Sequence, residues 1–283
     1  MFRSLLLGVA VVGSLSVFGA VVPSEEKTTA LVPSPSEGKI IGLVDLRPSD
    51  VFKGEDTFRM ENSAELGYRF NPKLQLTYKQ EIWGNLVQPS LSASPNNFFV
   101  RDGWVDVLCD KVFVNEDQSL FFTYEGRAYL PTFETRRNAG MVTAVRNYAT
   151  VGKKLTGWMT VSATETPIAH FYSQDSYLGK ANPVFENRFQ LKAGINLTSK
   201  LSLSLPLIWQ ATKMRLSQGA SKSGIWDNYV WINPEIFYAV DPHLVVGLGY
   251  YDVGSLMKND LSDTQIGDGL RDGVVQMIFK AML

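Results

Sequence analysis

"NPEIFYAVDPHLVVGLGYYDVG", residues 233–254, contains two alternating runs separated by a tight Asp-Pro corner. Alternation with a period of two is typical of β-strands, because successive side chains of a strand point to opposite faces. The stretch therefore predicts a hairpin whose two faces meet different surroundings. In its second strand one face carries Leu244, Val246, Leu248 and Tyr250, and the other carries Val245, Gly247, Gly249 and Tyr251.

The same alternation recurs from Lys39 to the C-terminus in runs of about ten residues, with almost no helical periodicity. The sequence therefore indicates an all-β fold. We predict twelve strands, at 39–47, 57–70, 73–84, 100–114, 119–130, 140–150, 155–168, 187–197, 201–213, 228–239, 243–254 and 272–283.

The connections between these strands fall into two classes that alternate strictly along the chain. Five are short and rich in turn-forming residues, at 70–73, 115–118, 150–154, 198–200 and 240–242. Six are longer, at 48–56, 85–99, 131–139, 169–186, 214–227 and 255–271. Short turns on one side, long loops on the other and an even number of antiparallel strands are typical of an up-and-down transmembrane β-barrel. Both ends of the barrel domain then fall on the side of the short turns.

The two faces of the predicted strands differ in charge. In the strand at 187–197, Phe189 and Leu191 share one side, whereas Arg188 and Lys192 share the other. Because charge is costly in hydrocarbon, we expect charged faces to line the interior. The apolar faces, including the first face of the hairpin above, should contact lipid. The residues predicted to line the pore are Arg59, Glu61, Glu65, Arg69, Lys79, Glu81, Glu125, Arg127, Arg188, Gln190, Lys192 and Glu235.

Positive and negative side chains nearly balance on these faces, also when Asp45, Arg47 and Asp106 are added. In one interpretation the charges pair across the barrel into a salt-bridged plug. In the other they stand apart on opposite walls and create a transverse field in a narrow aqueous pore. Twelve strands lie between filled barrels of about eight strands and open porins of about 16–18, so strand number leaves both interpretations open.

The N-terminal segment has the features of an export signal. Residues 1–20 contain Arg3, an apolar run and the small residues Gly19 and Ala20, which is typical of a secretory signal peptide. The segment 21–38 is rich in proline, serine and charge, which predicts a disordered linker. The barrel domain then covers residues 39–283.

The last predicted strand ends in "VVQMIFKAML", residues 274–283, and alternates to the final residue. This end resembles the C-terminal assembly signal of Gram-negative outer-membrane proteins, and the architectural resemblance covers 39–283. It implies a protein that is exported through the periplasm and inserted into the outer membrane by the barrel assembly machinery. The barrel then contacts outer-membrane lipid. The linker is then periplasmic, and we expect no cofactor.

The resemblance implies a porin-like channel for small hydrophilic solutes as the leading function. Arg127, Arg188 and Lys192 resemble the basic track of small oligosaccharide and nucleoside channels, which would suit anionic solutes. The alternative is a non-conducting barrel that presents its loops for surface interactions.

The class also includes enzymes. Outer-membrane phospholipases of twelve strands use a His/Ser/Asn set on the lipid-facing rim, and His170 lies near Ser173 and Asp175 in the sequence. A rim-site lipid hydrolase that uses His170 is therefore a further alternative, although no segment resembles that family's motif. Asp102, Asp175 and Glu165 could supply the rim carboxylates of an aspartyl-type outer-membrane protease.

The composition excludes other classes. With 27 basic and 28 acidic residues, the chain has no global field that would attract nucleic acid. A single cysteine, Cys109, excludes an internal disulfide and argues against a cysteine-based metal site. Carboxylates at 258–269 could bind Ca²⁺, but a solvated loop is the simpler interpretation, and we expect no metal site.

Some residues fit the predicted strands less well. Pro167, Pro206 and Pro234 each lack a donor for the ladder, so we expect bulges or shifted boundaries at these positions. The strand at 140–150 has no clean face, because Thr143 and Arg146 lie on opposite sides in strict alternation.

Overall fold

A computed structural model of the protein describes residues 39–51, 58–85, 98–251 and 274–282. The predicted signal peptide and linker, residues 1–38, and the segment 258–269 lie outside the described residues. The strands are β1 (Lys39–Val51), β2 (Phe58–Asn71), β3 (Leu74–Asn85), β4 (Phe98–Val100), β5 (Gly103–Val114), β6 (Leu120–Leu130), β7 (Met141–Lys154), β8 (Met159–Tyr172), β9 (Ser176–Tyr177), β10 (Lys180–Ala181), β11 (Pro183–Asn196), β12 (Leu201–Met214), β13 (Trp226–Ile232), β14 (Glu235–Ala239), β15 (Leu244–Tyr251) and β16 (Val274–Met282), and the described helix is α1 (Glu134–Asn138).

All of the described strands except β9 and β10, which form a separate hairpin, follow one another around a closed antiparallel barrel in chain order. β4 and β5 both pair with β3, and β13 and β14 both pair with β12, so each of these two pairs acts as one spanning strand. β1 pairs with β16, with Leu43 opposite Met282, and this seam closes the sheet. Closure leaves no open edge, so the backbone groups of every strand have a neighbour. The predicted barrel of twelve spanning strands is confirmed.

The connections sort to the two ends of the barrel as predicted. Short turns lie at one end, at 72–73, 115–119, 155–158, 197–200 and 240–243. Longer connections lie at the other end, and the described ones are 131–140, 173–182 and 215–225. Among the described residues, no helix is long and apolar enough to cross a bilayer.

The two faces of each strand meet different surroundings. In β15, Leu248 is 51% exposed and points outward, whereas Val245 is 5% exposed and points inward. The outward face predicted for this hairpin is therefore confirmed. Inward apolar residues form two clusters, Trp104, Tyr129, Met141, Ala144 and Ile168 towards the long loops, and Phe237, Ala239, Val245 and Ile278 towards the short turns.

β7 does have a clean inner face, contrary to the expectation for 140–150. The register shifts between Met141 and Thr143, which places an extra residue at the start of the strand. After this irregularity Ala144, Arg146 and Thr150 share the inward side. A β-bulge resets the alternation, so strict parity counted from Thr143 gives the wrong face.

The prolines are accommodated without the expected bulges. β8 runs through Pro167, which lies opposite Asn187, and β12 runs through Pro206 in an unbroken register with β11. Pro234 separates β13 from β14, yet both pair with β12 in one register. The missing donors interrupt single hydrogen bonds, and the long ladders on either side hold the strands in place.

β8 and β11 extend further than predicted. β8 continues to Tyr172 and β11 begins at Pro183, so that Ala169 lies opposite Phe185. The residues between them include the small hairpin β9–β10. The apolar alternation did not predict this extension, because a strand outside the hydrocarbon needs no apolar face.

Candidate functional site

The inner wall of the barrel carries the charged residues that the sequence predicts for it. Arg59 lies in β2, but its side chain is outside the described part of the structure. The other predicted residues alternate with outward residues such as Leu66 and Leu191 and occupy inward positions. These inward residues are Glu61, Glu65, Arg69, Lys79, Glu81, Glu125, Arg127, Arg188, Gln190, Lys192 and Glu235.

Three inner ion pairs share one local form, an acid followed two residues later by an arginine. They are Asp45–Arg47 at 3.1 Å, Glu125–Arg127, and Glu186–Arg188 at 2.5 Å. Residues two apart on a strand lie on the same face, so each pair runs along its own strand. These pairs follow the wall and do not cross the barrel as a salt-bridged plug would require.

A longer contact joins strands on one side of the barrel. Arg47 Nη1 on β1 lies 2.9 Å from Glu235 Oε1 on β14, with β15 and β16 between the two strands in the sheet. Gln276 Nε2 on β16 donates to Glu61 Oε2 on β2 at 3.3 Å. Both contacts bridge strands that are close together around the ring.

Arginines and aromatic rings meet on the opposite part of the wall, from β5 to β7. The Arg127 Cζ atom lies 5.2 Å from the centre of the Trp104 ring and 4.5 Å from that of Tyr148. Arg146 Cζ lies 4.4 Å from the centre of the Tyr129 ring. A guanidinium over a ring face is attracted by the ring quadrupole, which orients both arginines. We call these five residues the arginine–aromatic cluster.

Within this cluster Arg127 and Arg146 lie directly opposite each other on β6 and β7. Like charges at directly opposed positions destabilise a sheet. The rings beneath the two guanidinium groups and the carboxylate of Glu125 offset part of this repulsion. The geometry leaves two cationic groups side by side on the inner wall.

The charges of two opposite strands differ. On β11 the inward charged side chains are Glu186, Arg188 and Lys192, with one more base than acid. On β2 the described ones are Glu61, Glu65 and Arg69, with one more acid than base. Passing from β2 through β3, β5, β6, β7 and β8 to β11 takes half of the ring, so these strands face each other. On this path β6 lies midway between β2 and β11, and β7 lies nearer to β11.

His170 does not lie where a lipid-facing hydrolase would need it. It points inward from β8, is 7% exposed, and its Nε2 is 3.8 Å from Glu186 Oε2. Ser173 Oγ donates to the Gly140 carbonyl at 3.1 Å, and Asp175 accepts from Arg215 at 2.8 Å. The placement of His170 on a lipid-facing rim is therefore wrong, because the alternation of β8 puts this residue on the interior side.

The rim carboxylates proposed for a protease are also separated. Asp102 faces inward and pairs with Arg136 of α1 at 3.0 Å. Asp175 pairs with Arg215 in the loops, and Glu165 lies on the outer face of β8. The three carboxylates thus occupy three different surroundings.

The long connections of one side are tied to one another. Asn182 is buried, and its Nδ2 donates to the carbonyl oxygens of Ala139 and Gln174, both at 3.0 Å. The backbone N–H of Arg215 donates to the Asn182 carbonyl at 2.8 Å. One asparagine thereby links the connections 131–140, 173–182 and 215–225.

Sequence reasoning did not single out most of the arginine–aromatic cluster. Trp104 and Tyr129 follow the parity of Asp106 and Arg127, so the charged faces of β5 and β6 contained the signal for them. Arg146 and Tyr148 were hidden by the bulge at the start of β7. Counting alternation backwards from the turn at 155–158 would have placed both on the inner face.

The fold is similar to those of two solved outer-membrane proteins. An outer-membrane channel from Pseudomonas putida F1 aligns with a TM-score of 0.60 and 14% identity, over 88% of this chain and 97% of that chain. The NanC porin aligns with a TM-score of 0.54 and 10% identity, over 85% of this chain and 99% of that chain. Neither a protein-family model nor a curated protein sequence matches the chain. The chain therefore has the fold of the outer-membrane β-barrels that include porins and channels.

Proposed function

We propose that the barrel is a porin-like channel for small hydrophilic solutes and that it favours anions. The observation that carries this proposal is the opposed pair of Arg127 and Arg146 on the inner wall. Such a pair of like charges destabilises a sheet. Its presence therefore indicates a functional role. Two neighbouring guanidinium groups suit a carboxylate or phosphate group, because their N–H groups match the geometry of these anions.

The other inner charges support the same proposal. Ion pairs that run along the strands are compatible with an aqueous interior, unlike a plug of pairs that meet across the barrel. Arg188 and Lys192 on β11 face Glu61 and Glu65 on β2, which gives a field across the lumen. In a narrow pore with a low-dielectric wall, such charges act on passing ions with little screening.

Reversal potentials in a salt gradient test both parts of the proposal. The purified protein in planar bilayers should conduct and should favour anions. Replacing Arg188 and Lys192 with glutamate should move the reversal potential towards cation preference, and the fold should survive because lumen substitutions change selectivity more than stability. Replacing Arg127 and Arg146 with glutamine should also reduce anion preference.

A matched control makes the same change of charge outside the lumen. Lys153 and Lys200 are exposed residues at the short-turn end. Their double replacement with glutamate should leave the reversal potential close to that of the wild type. Conductance without any shift in the inner-wall variants would contradict the anion preference. A folded wild type without conductance would contradict the channel and favour the barrel that presents its loops.

A further inference from the structure

Glu165 occupies an unusual position on the outer wall. It is the seventh of the fourteen residues of β8, and it is exposed, whereas Thr164 and Thr166 on either side point inward and are buried. Its cross-strand neighbours are Ala149 and Phe189. The middle of a spanning strand lies near the middle of the hydrocarbon, where an outward charge is destabilising. A carboxylate at this position needs hydrogen-bond donors, which lipid tails do not supply.

Other polar side chains surround Glu165 on the same outer face. Asn187 Nδ2 on β11 donates to Glu165 Oε1 at 3.1 Å. The Tyr124 hydroxyl on β6 donates to Asn147 Oδ1 on β7 at 2.6 Å. We call Tyr124, Asn147, Glu165 and Asn187 the outer polar patch. It extends over four neighbouring strands.

Small residues lie among these polar groups. Gly126 is opposite Asn147, and Ala149 is opposite Glu165. Small side chains let a second surface approach closely, which is the usual way in which spanning elements associate in lipid.

A single barrel fills only part of the hydrogen-bonding capacity of Glu165. Among the described residues, Asn187 is the side chain that donates to it. Glu165 has about four acceptor sites to fill. Lipid tails supply no donors, so each unfilled site in the bilayer is costly.

We propose that the outer polar patch is the contact surface between two copies of this barrel. The patch contains both kinds of group that a self-complementary contact needs. Asn147 has amide N–H groups to donate, because its Oδ1 already accepts from Tyr124, and Glu165 on the adjacent strand accepts. In a two-fold arrangement Asn147 of each copy meets Glu165 of the other, as isologous interfaces require. Lipid headgroups lie too far from mid-height to serve this patch. The contact does not depend on whether the barrel conducts.

Cysteine cross-linking in outer membranes tests the contact in the full-length protein. Cys109 is first replaced with serine, and Ala149→Cys then places a thiol beside Glu165 without removing any member of the patch. Leu66→Cys is the control, because Leu66 is exposed on β2, four strands away from β7 around the barrel and outside the patch. Mild oxidation should give a disulfide-linked dimer with Ala149→Cys and only background with Leu66→Cys. Equal yields, or no dimer with either variant, would overturn the proposal.

Removing the polar groups tests the chemistry of the same contact. Glu165→Leu with Asn187→Leu should lower the dimer fraction in native mass spectra by about tenfold, since buried polar contacts at an interface are lost. The folded yield should stay the same or rise, because leucine suits lipid better than a carboxylate does. An unchanged dimer fraction would show that the patch serves the single barrel. A monomeric wild type that carries a bound lipid, lost in the double variant, would make lipid the occupant. Either result overturns the proposal.

Discussion

Single residues of β2 show the difference between lipid and lumen directly. Leu66 is 64% exposed and points outward near the middle of the strand, whereas Ser63 points inward between Glu61 and Glu65. Leu66→Arg should lower the free energy of unfolding by about 2–4 kcal/mol, because the charge enters hydrocarbon. Ser63→Arg should be tolerated, since two carboxylates and the lumen surround it.

Denaturant unfolding of the protein refolded into lipid vesicles measures this contrast. The two variants add the same side chain to the same strand, so each is the control for the other. A similar loss in both, or a greater loss for Ser63→Arg, would contradict the face assignment of β2.

The residue scale is also where sequence reasoning was least complete. The predicted charged residues with described side chains occupy inward positions, because charge is costly on a face that contacts lipid. Trp104, Tyr129 and Tyr148 were not marked in this way, since an aromatic residue suits either lipid or lumen. His170 was misplaced for the same reason, because its imidazole gives no signal of its face.

Side-chain and backbone hydrogen bonds together hold the connections at the long-loop end. The Asn182 amide donates to Ala139 in 131–140 and to Gln174 in its own connection, 173–182. Asn182→Ala would remove the donor to the carbonyl group of Ala139, a buried residue, at a cost of about 1–3 kcal/mol for such a group. We expect faster hydrogen exchange and faster proteolysis in 131–140 and 173–182, with the barrel strands unchanged.

Leu178 offers a matched control in the same region. It is exposed at the tip of the β9–β10 hairpin, so Leu178→Ala should leave hydrogen exchange in both loops close to the wild-type rate. If Asn182→Ala and Leu178→Ala behave alike, the asparagine does not hold the loops together.

At the scale of the strands, the existence and order of the strands were predictable from the sequence, but their boundaries were not. Period-two alternation with turn formers located the hairpins, because burial on one face imposes the pattern. The register shift at Met141, the continuous ladder through Pro167 and the extension of β8 to Tyr172 have no local signal. They depend on the neighbouring strand, whose hydrogen bonds stabilise an extra residue or offset a missing donor.

For the whole molecule, closure between β1 and β16 is the critical contact. Deleting residues 274–283 removes β16 and exposes the edges of β1 and β15. In a bilayer these edges would have unpaired backbone groups, so we expect no heat-modifiable folded band on gels. Deleting residues 22–36, which precede β1, should leave that band intact. A folded band from the first variant, or its loss in the second, would contradict this view of the seam.

The sequence by itself determined the class of fold, the number of spanning strands, the sorting of the loops and the inward position of most charged residues. All of these follow from local alternation and from the cost of charge in lipid. Both are visible in the sequence of each strand by itself. Only the tertiary structure decided that Arg127 lies opposite Arg146, that β2 faces β11, and that Glu165 joins Asn187 on the outer wall. These relations depend on register and closure. Both are set by pairing between strands that are distant in sequence, and no single strand encodes them.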